Sequence, residues 1–166
     1  MQGEYLLALL RSLKAGGIHT ALETCGQFPR ALLKPLLEAV DLFLFDLKHL
    51  DDARHREATG CGNELALENF RALFAEARAA RVTVRIPLIP GFNTADADIA
   101  AFTKFLVEMA FDGEVHLMPY HSWAKSKHES LGRRGDYCDL SSIGAVNAQR
   151  IAEQFAASGL VARVYG

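Results

Sequence analysis

Cysteine is scarce in this sequence of 166 residues, which contains only Cys25, Cys61 and Cys138. The number is odd, and no C-x-x-C or other short Cys/His cluster occurs, which argues against both a disulfide framework and a structural zinc site. Long apolar runs are also absent, and the N-terminus is neither basic nor apolar, so the sequence indicates no transmembrane segment and no signal peptide. We expect a cytoplasmic protein with reduced thiols.

The sequence also lacks a charge excess of either sign. It has 18 Lys and Arg against 20 Asp and Glu, a formal net charge of -2. Such a balance does not favour binding to phosphate backbones, so we expect no nucleic-acid partner, and no membrane partner either. Half of the residues are apolar and 23% are charged, as in ordinary globular proteins. The length predicts that residues 1–166 form a single domain.

Strand-like and helix-like apolar patterns alternate along the chain. The strand-like segments are residues 18–22, 41–47, 82–88, 114–120 and 160–165. The segments with helical spacing are residues 6–14, 30–40, 51–58, 63–80, 93–109 and 142–157. This alternation predicts βαβ units, a mostly parallel sheet and the α/β class. Periodicity alone leaves two architectures open, a doubly wound open sheet and a curved piece of a barrel.

Four local features refine this prediction. Residues 41–47 are almost uninterruptedly apolar, which is typical of a strand buried on both faces. Asn63 is predicted to cap the helix that follows it, and either Asn93 or Thr94 is predicted to cap the next one. The polar loop at residues 121–139 has a length at which loops tend to carry function.

The fourth feature is the start of the sequence, which opens on a helix instead of a strand. A complete (β/α)8 barrel takes about 250 residues. We therefore interpret the chain as a partial barrel that lacks its N-terminal units. In such a barrel, the strand at residues 18–22 would lie at an exposed edge of the sheet.

Polar stretches follow four of the apolar strands, at the end where parallel α/β proteins bind ligands. They are residues 23–26, residues 46–49, Arg85 with residues 87–93, and residues 119–122. The charged side chains expected to face one mouth are Glu23, Asp46, Lys48, Arg85 and His121. Together they could hold a small zwitterion, with cations for its carboxylate and carboxylates for its amine.

Simpler structural roles are open for the same side chains. Asp46 and Lys48 share a strand face, so they could pair with each other or with Arg85. Arg85 could instead cover a sheet edge. Glu23 and Thr24 could merely cap a helix at residues 27–30.

The remaining candidates have similar alternatives. His121 could be a structural histidine, and Cys25 a buried inert thiol in place of a nucleophile. The basic loop after His121 could be solvated, or it could hold an anionic group or the backbone of a partner.

Four groups of residues, in this order, carry a family resemblance. They are Gly17-Ile-His-Thr-Ala-Leu-Glu-Thr-Cys-Gly26; Asp46-Leu-Lys48 with Asp52, His55, Thr59-Gly60 and Asn63; Val84-Arg-Ile-Pro-Leu-Ile-Pro-Gly91; and Pro119-Tyr-His121 with Lys127 and Leu131-Gly132. With these groups, the sequence resembles the radical S-adenosylmethionine (radical SAM) enzymes that activate glycyl radical enzymes, the family of pyruvate formate-lyase activating enzyme. The resemblance spans nearly the whole chain.

The resemblance implies a partial barrel of the radical SAM type, here about four βα units plus a terminal strand, that binds S-adenosylmethionine at its strand ends. It also implies six cofactor-binding residues, which are Glu23, Thr24, Asp46, Lys48, Arg85 and His121. By resemblance, Glu23 and Thr24 lie near the methionine moiety, where the family often has Asp in place of Glu. Asp46 and Lys48 match the pair that holds its amino and carboxylate groups.

One part of the family pattern is missing. The C-x-x-x-C-x-x-C loop that binds a [4Fe-4S] cluster does not occur in the sequence, and neither does the Gly-Gly-Glu strand end. We therefore interpret the chain as the C-terminal portion of an activase and expect it to be inactive alone. In full-length form, the resemblance implies that the cluster and S-adenosylmethionine generate a 5′-deoxyadenosyl radical, which abstracts a hydrogen from a glycine of the partner. The implied partners are a glycyl radical enzyme and an electron donor such as flavodoxin or ferredoxin.

Two other functions remain open. A barrel lyase or aldolase would use Lys48 as a Schiff-base nucleophile, which requires an apolar pocket around the amine. A non-catalytic module would bind a nucleotide or a protein partner through the basic loop.

Overall fold

The computed structural model describes residues 2–76, 81–120, 130–131 and 142–165. Helices and strands alternate along these residues except for two consecutive helices between the second and third strands, and a short 3-10 turn lies at Arg30–Leu32. In chain order the elements are α1 (Gly3–Ala15), β1 (Ala21–Thr24), α2 (Leu33–Ala39), β2 (Leu42–Asp46), α3 (Asp52–Thr59), α4 (Glu64–Glu76), β3 (Arg81–Leu88), α5 (Asp96–Glu108), β4 (Glu114–Pro119), α6 (Gly144–Ala157) and β5 (Val161–Val164).

The five described strands form one parallel sheet in the order β1-β2-β3-β4-β5. Consecutive parallel strands joined by right-handed crossovers place their helices on the same face of the sheet. A doubly wound sheet would instead reverse its strand order partway. The structure therefore confirms the α/β class with four βα units and a terminal strand, and it favours the wall of a barrel over the doubly wound alternative.

The two faces of this sheet differ in burial. On β2, Phe43 and Phe45 are fully buried in the core beneath the helices, while Leu42 and Leu44 point to the opposite face and are half-buried. That opposite face lines an open cavity of about 710 Å³. The prediction that residues 41–47 are buried on both faces was therefore wrong, because helices cover only one face of this sheet.

The first strand begins later than predicted. Residues 18–22 were expected to form it, but the ladder starts at Ala21 and Ile18 is 54% exposed. Thr20, just before the ladder, donates from its hydroxyl to the Ala39 carbonyl (2.9 Å) and from its backbone N–H to the Asp41 carboxylate (2.9 Å). These bonds hold the chain at the entrance to β1, which forms one edge of the described sheet as predicted.

Helix α5 also begins differently from the prediction. Its first residue is Asp96 and its N-cap position is Ala95, with no side-chain cap. Neither Asn93 nor Thr94 therefore caps it. Asn63 directly precedes α4, and its carbonyl accepts the Leu67 N–H (2.9 Å), as expected for the residue at the start of this helix.

The other predicted elements agree with the structure to within a few residues. Gly60 ends α3 in the left-handed conformation (φ 79°), a backbone geometry that favours glycine. The predicted end of α4 at residues 77–80 lies outside the described residues, as does the loop at 121–139 except Ser130 and Leu131. None of the described helices combines the length and apolar character needed to cross a membrane.

Candidate functional site

Three charged side chains meet at the carboxyl ends of β1, β2 and β3. Asp46 on β2 pairs in register with Arg85 on β3, and Glu23 on β1 pairs with Leu44, two residues before Asp46. Side chains at this spacing share one face of a parallel sheet. Glu23, Asp46 and Arg85 therefore all point to the face that the helices leave open.

These side chains and Lys48 form a continuous ionic network. Arg85 donates from Nε to Asp46 Oδ1 (2.9 Å) and from Nη2 to Glu23 Oε1, while Lys48 Nζ lies 3.4 Å from Asp46 Oδ2. Pairing among Asp46, Lys48 and Arg85, one of the structural alternatives, is thus present. The alternative that Arg85 covers a sheet edge was wrong, because β3 is the middle strand of the described sheet.

The network keeps Arg85 ionised. Burial alone would lower the pKa of Arg85, but its hydrogen bonds to Glu23 and Asp46 and their negative charges outweigh burial and raise that pKa. The guanidinium therefore stays charged, as a fixed donor between two strands.

Exposure divides the network into a fixed part and an available part. Asp46 and Arg85 are 15% and 16% exposed, whereas Lys48 is 33% and Glu23 is 58% exposed. The Asp46–Arg85 pair forms the base, and one ammonium and one carboxylate face solvent above it. Because Lys48 lies beside a carboxylate, the Schiff-base alternative lacks the apolar surroundings that it requires.

The turn after β1 was considered as a helix cap, but the Thr24 side chain stabilises the turn itself. Thr24 Oγ1 accepts a hydrogen bond from Gly26 N–H (3.1 Å), and the next helical residue is Arg30, so Glu23 and Thr24 do not cap a helix at residues 27–30. Gly26 has φ 79°, and a Cβ there would collide with the Phe45 ring. The turn therefore requires glycine.

Two buried asparagines hold the strand-end loops in place, a role that the sequence analysis missed. Asn69 Nδ2 donates to the carbonyls of Gly26 and Phe28 (both 2.8 Å), and Asn63 Nδ2 donates to those of residues 49 and 50 (3.0 and 2.8 Å). A buried amide requires partners. Asn69 could have been noticed because it lies on the apolar face of α4.

A third buried asparagine, Asn93, links two strand-end loops. Its Nδ2 donates to the carbonyls of Lys48 (2.8 Å) and Pro87 (2.6 Å), and its Oδ1 accepts the Ile89 N–H (2.8 Å). The sequence analysis assigned Asn93 to a helix cap instead. His121, the sixth predicted site residue, lies outside the described residues.

A buried histidine follows Lys48 directly. His49 is 5% exposed; its Nδ1 accepts the Asp51 N–H (2.9 Å), and its Nε2 lies 3.4 Å from Asp98 Oδ1. Asp98 is held by Arg54 Nη1, which donates to both carboxylate oxygens (2.8 and 3.1 Å). Burial lowers the pKa of His49 despite the opposing charge of Asp98. The imidazole is therefore neutral at neutral pH.

This burial predicts a pH-dependent stability. The unfolded chain takes up a proton on His49 at its ordinary pKa of about 6.5, above its pKa in the folded protein. The free energy of unfolding should therefore fall as the pH is lowered from about 7.5 to about 5.5. Urea unfolding at several pH values measures this slope. His49→Asn should flatten it and His19→Asn, at an exposed position, should not; an unchanged slope in His49→Asn would contradict the assignment.

Comparison with known protein families identifies the family to which this parallel sheet belongs. Residues 1–103, more than half of the chain, match the model of the Radical SAM superfamily. The chain belongs to the radical SAM superfamily.

Curated relatives of this radical SAM chain are activating enzymes of glycyl radical enzymes. It is 43% identical over 132 residues to the isethionate sulfite-lyase activating enzyme of Nitratidesulfovibrio vulgaris, covering 80% of this chain and 42% of that protein. It is 29% identical over 164 residues to the 4-hydroxyphenylacetate decarboxylase activating enzyme of Clostridioides difficile, covering 99% of this chain and 52% of that protein. The chain thus spans about half the length of the curated relatives it matches.

Solved structures confirm the radical SAM partial-barrel fold. A domain of pyruvate-formate lyase-activating enzyme from Bacteroides vulgatus superimposes with a TM-score of 0.81 and 26% identity, covering 99% of this chain and 91% of that one. Streptococcus suis SuiB bound to S-adenosylmethionine superimposes with a TM-score of 0.69. At 13% identity and 36% coverage of the SuiB chain, this second similarity supports the fold alone.

Radical SAM proteins use S-adenosylmethionine and a [4Fe-4S] cluster, and the described residues fit these two groups differently. The solvent-facing Lys48 ammonium and Glu23 carboxylate fit the carboxylate and amine of a methionine moiety. For a cluster, the described residues bring no three Cys, His, Asp or Glu side chains together. Cys25 and Cys61 lie in different loops, and Cys138 is outside the described residues. The described residues therefore do not fit a cluster.

Proposed function

We propose that this protein acts in the activation of a glycyl radical enzyme and that its strand-end network binds the methionine moiety of S-adenosylmethionine. The observation that carries the proposal is the meeting of Glu23, Asp46, Lys48 and Arg85 at the carboxyl ends of three consecutive strands. The identity to activating enzymes supports the same conclusion.

In this proposal each side chain has a separate task. The Lys48 ammonium binds the ligand carboxylate, and the Glu23 carboxylate binds the ligand amine. Arg85 bonds both Glu23 and Asp46, and Asp46 in turn contacts Lys48. Arg85 thereby fixes the distance between the Glu23 carboxylate and the Lys48 ammonium. Asp46 neutralises Arg85 and directs Lys48 towards the open face. The family resemblance also keeps Thr24, Asp46, Arg85 and His121 as proposed cofactor-binding residues, with Asp46 near the ligand amine.

When bound, S-adenosylmethionine supplies the radical chemistry of the superfamily, which we propose is directed at a glycine of the partner enzyme. The partner is then a glycyl radical enzyme, and the electron donor a flavodoxin or ferredoxin. The open face of the sheet beside the network gives such a ligand access from solvent.

Isothermal titration calorimetry with S-adenosylmethionine and with 5′-methylthioadenosine, which lacks the amino-acid moiety, tests this proposal. The protein should prefer S-adenosylmethionine, and Lys48→Ala should reduce that preference about tenfold, the loss of one charge-assisted hydrogen bond.

Lys14→Ala is the matched control. Lys14 also pairs with an aspartate, Asp41, at 3.2 Å, but on an exposed surface. This variant should keep the wild-type preference. Equal affinity of the wild-type protein for the two ligands would overturn the proposal.

A further inference from the structure

Asn93 is fully buried between the loops that follow β2 and β3. One hydrogen bond, from Ile89 N–H to Asn93 Oδ1, closes the turn at residues 89–93. Closing this turn leaves the two amide hydrogens of Asn93 free for other partners. One of them crosses to the neighbouring loop and binds the Lys48 carbonyl at 2.8 Å.

The hydrogen bond from Asn93 to the Lys48 carbonyl lies just beyond the end of the β2–β3 ladder. Leu47 N–H donates to the Arg85 carbonyl (2.9 Å), one residue beyond β2. The Lys48 carbonyl, on the peptide that follows the Lys48 Cα, accepts a hydrogen bond from the Asn93 side chain. The chain is therefore held to the β3 segment at two points, one residue before Lys48 at the Leu47 N–H and directly after the Lys48 Cα at the Lys48 carbonyl.

The orientation of this backbone matters for the side chain. Nζ of Lys48 stands at the end of a flexible four-carbon chain, so a small rotation at Cα displaces the ammonium by more than the backbone moves. Its contact to Asp46 Oδ2 at 3.4 Å is too long to fix it alone. A second constraint, on the backbone, restricts where the ammonium can reach.

We propose that Asn93 is a positioning residue for Lys48, which it aims at the carboxylate of the ligand. This inference rests on the proposed function, because it assigns that carboxylate to Lys48. Asn93 does not itself touch the ligand in this scheme.

The test compares S-adenosylmethionine with its decarboxylated analogue by calorimetry. Asn93→Ala should weaken binding of S-adenosylmethionine about fivefold and leave binding of the analogue unchanged. In a Lys48→Ala background it should cause no further loss, because the two residues act through one contact. Asn93→Ser, which keeps a hydroxyl donor, provides a milder variant if Asn93→Ala is too unstable.

A second readout needs no ligand. The rate at which acetic anhydride modifies Lys48, followed by mass spectrometry, should rise in Asn93→Ala because the ammonium is less restrained beside Asp46. Asn69→Ala is the control: it removes an equally buried amide with two carbonyl partners, but in the loop after β1. It should lower stability without changing either the carboxylate preference or the rate of Lys48 modification.

The possible failures are distinguishable. Equal losses for both ligands in Asn93→Ala, or an unchanged modification rate, would reduce Asn93 to a structural residue and overturn this inference while leaving the proposed function intact. A Lys48→Ala variant that retains the full carboxylate preference would overturn the proposed function, and this inference with it.

Discussion

Replacing Arg85 with methionine is expected to weaken S-adenosylmethionine binding about a hundredfold, because the ligand contacts of Glu23 and Lys48, roughly 1.5 kcal/mol each, both depend on the position that Arg85 imposes. Arg85 joins Glu23 on β1 to Asp46 on β2, so its loss frees the carboxylate that faces the ligand amine. It also leaves Asp46, which is 15% exposed, with only Lys48 at 3.4 Å among its described ion-pair partners. Lys48 is then drawn towards Asp46 and away from the ligand.

The same change should lower the free energy of unfolding by about 2 kcal/mol, the partly exposed counterpart of breaking a buried ion pair. Calorimetry measures the affinity and urea unfolding the stability. Arg81→Met is the control, since Arg81 lies four residues earlier on the same face of β3 but is exposed. Arg85→Lys should restore part of the stability and little of the affinity, because one ammonium cannot span two carboxylates. Wild-type affinity in Arg85→Met would contradict the role of the network.

Much of the fold follows from local patterns, and the exceptions have a physical cause. Apolar runs identified β2, β3 and β4 because each strand contributes several buried residues to the core, although half-buried residues lie between them. The first strand was placed too early because the pattern at Ile18 is apolar, whereas strand pairing depends on a neighbour that only the tertiary structure supplies. Burial of one face of β2 could not be predicted either, because it depends on the side on which the crossovers lie.

The site shows the same division. The charges of Glu23, Asp46, Lys48 and Arg85 could be placed together from sequence because carboxyl ends of parallel strands converge at one edge. The role of Asn93 could not, because its partner Lys48 is 45 positions away and a local rule favours Asn as a cap before a helix. Nonlocal hydrogen bonds of this kind leave no periodic signature in the sequence.

Phe70→Ala is expected to have the largest effect on stability, a loss of about 4 kcal/mol in the free energy of unfolding. Phe70 on α4 is fully buried, and its ring centroid lies 4.9 Å from that of Phe45, 5.9 Å from Phe105 and 6.1 Å from Phe111. Truncation leaves a cavity between α4 and β2 that three rigid rings cannot collapse to fill. Urea unfolding with a fitted slope measures the loss.

A loss of this size is a large share of the roughly 5–15 kcal/mol that stabilises a typical domain. Leu65→Ala, on the same helix but 37% exposed, should cost less than about 0.5 kcal/mol, which separates core packing from helix propensity. Phe45 immediately precedes Asp46, so the cavity also lies beneath the strand end that carries the ionic network. A loss below about 1.5 kcal/mol in Phe70→Ala would mean that the surrounding rings rearrange freely, and such a core could not hold Asp46 and Arg85 at a fixed separation.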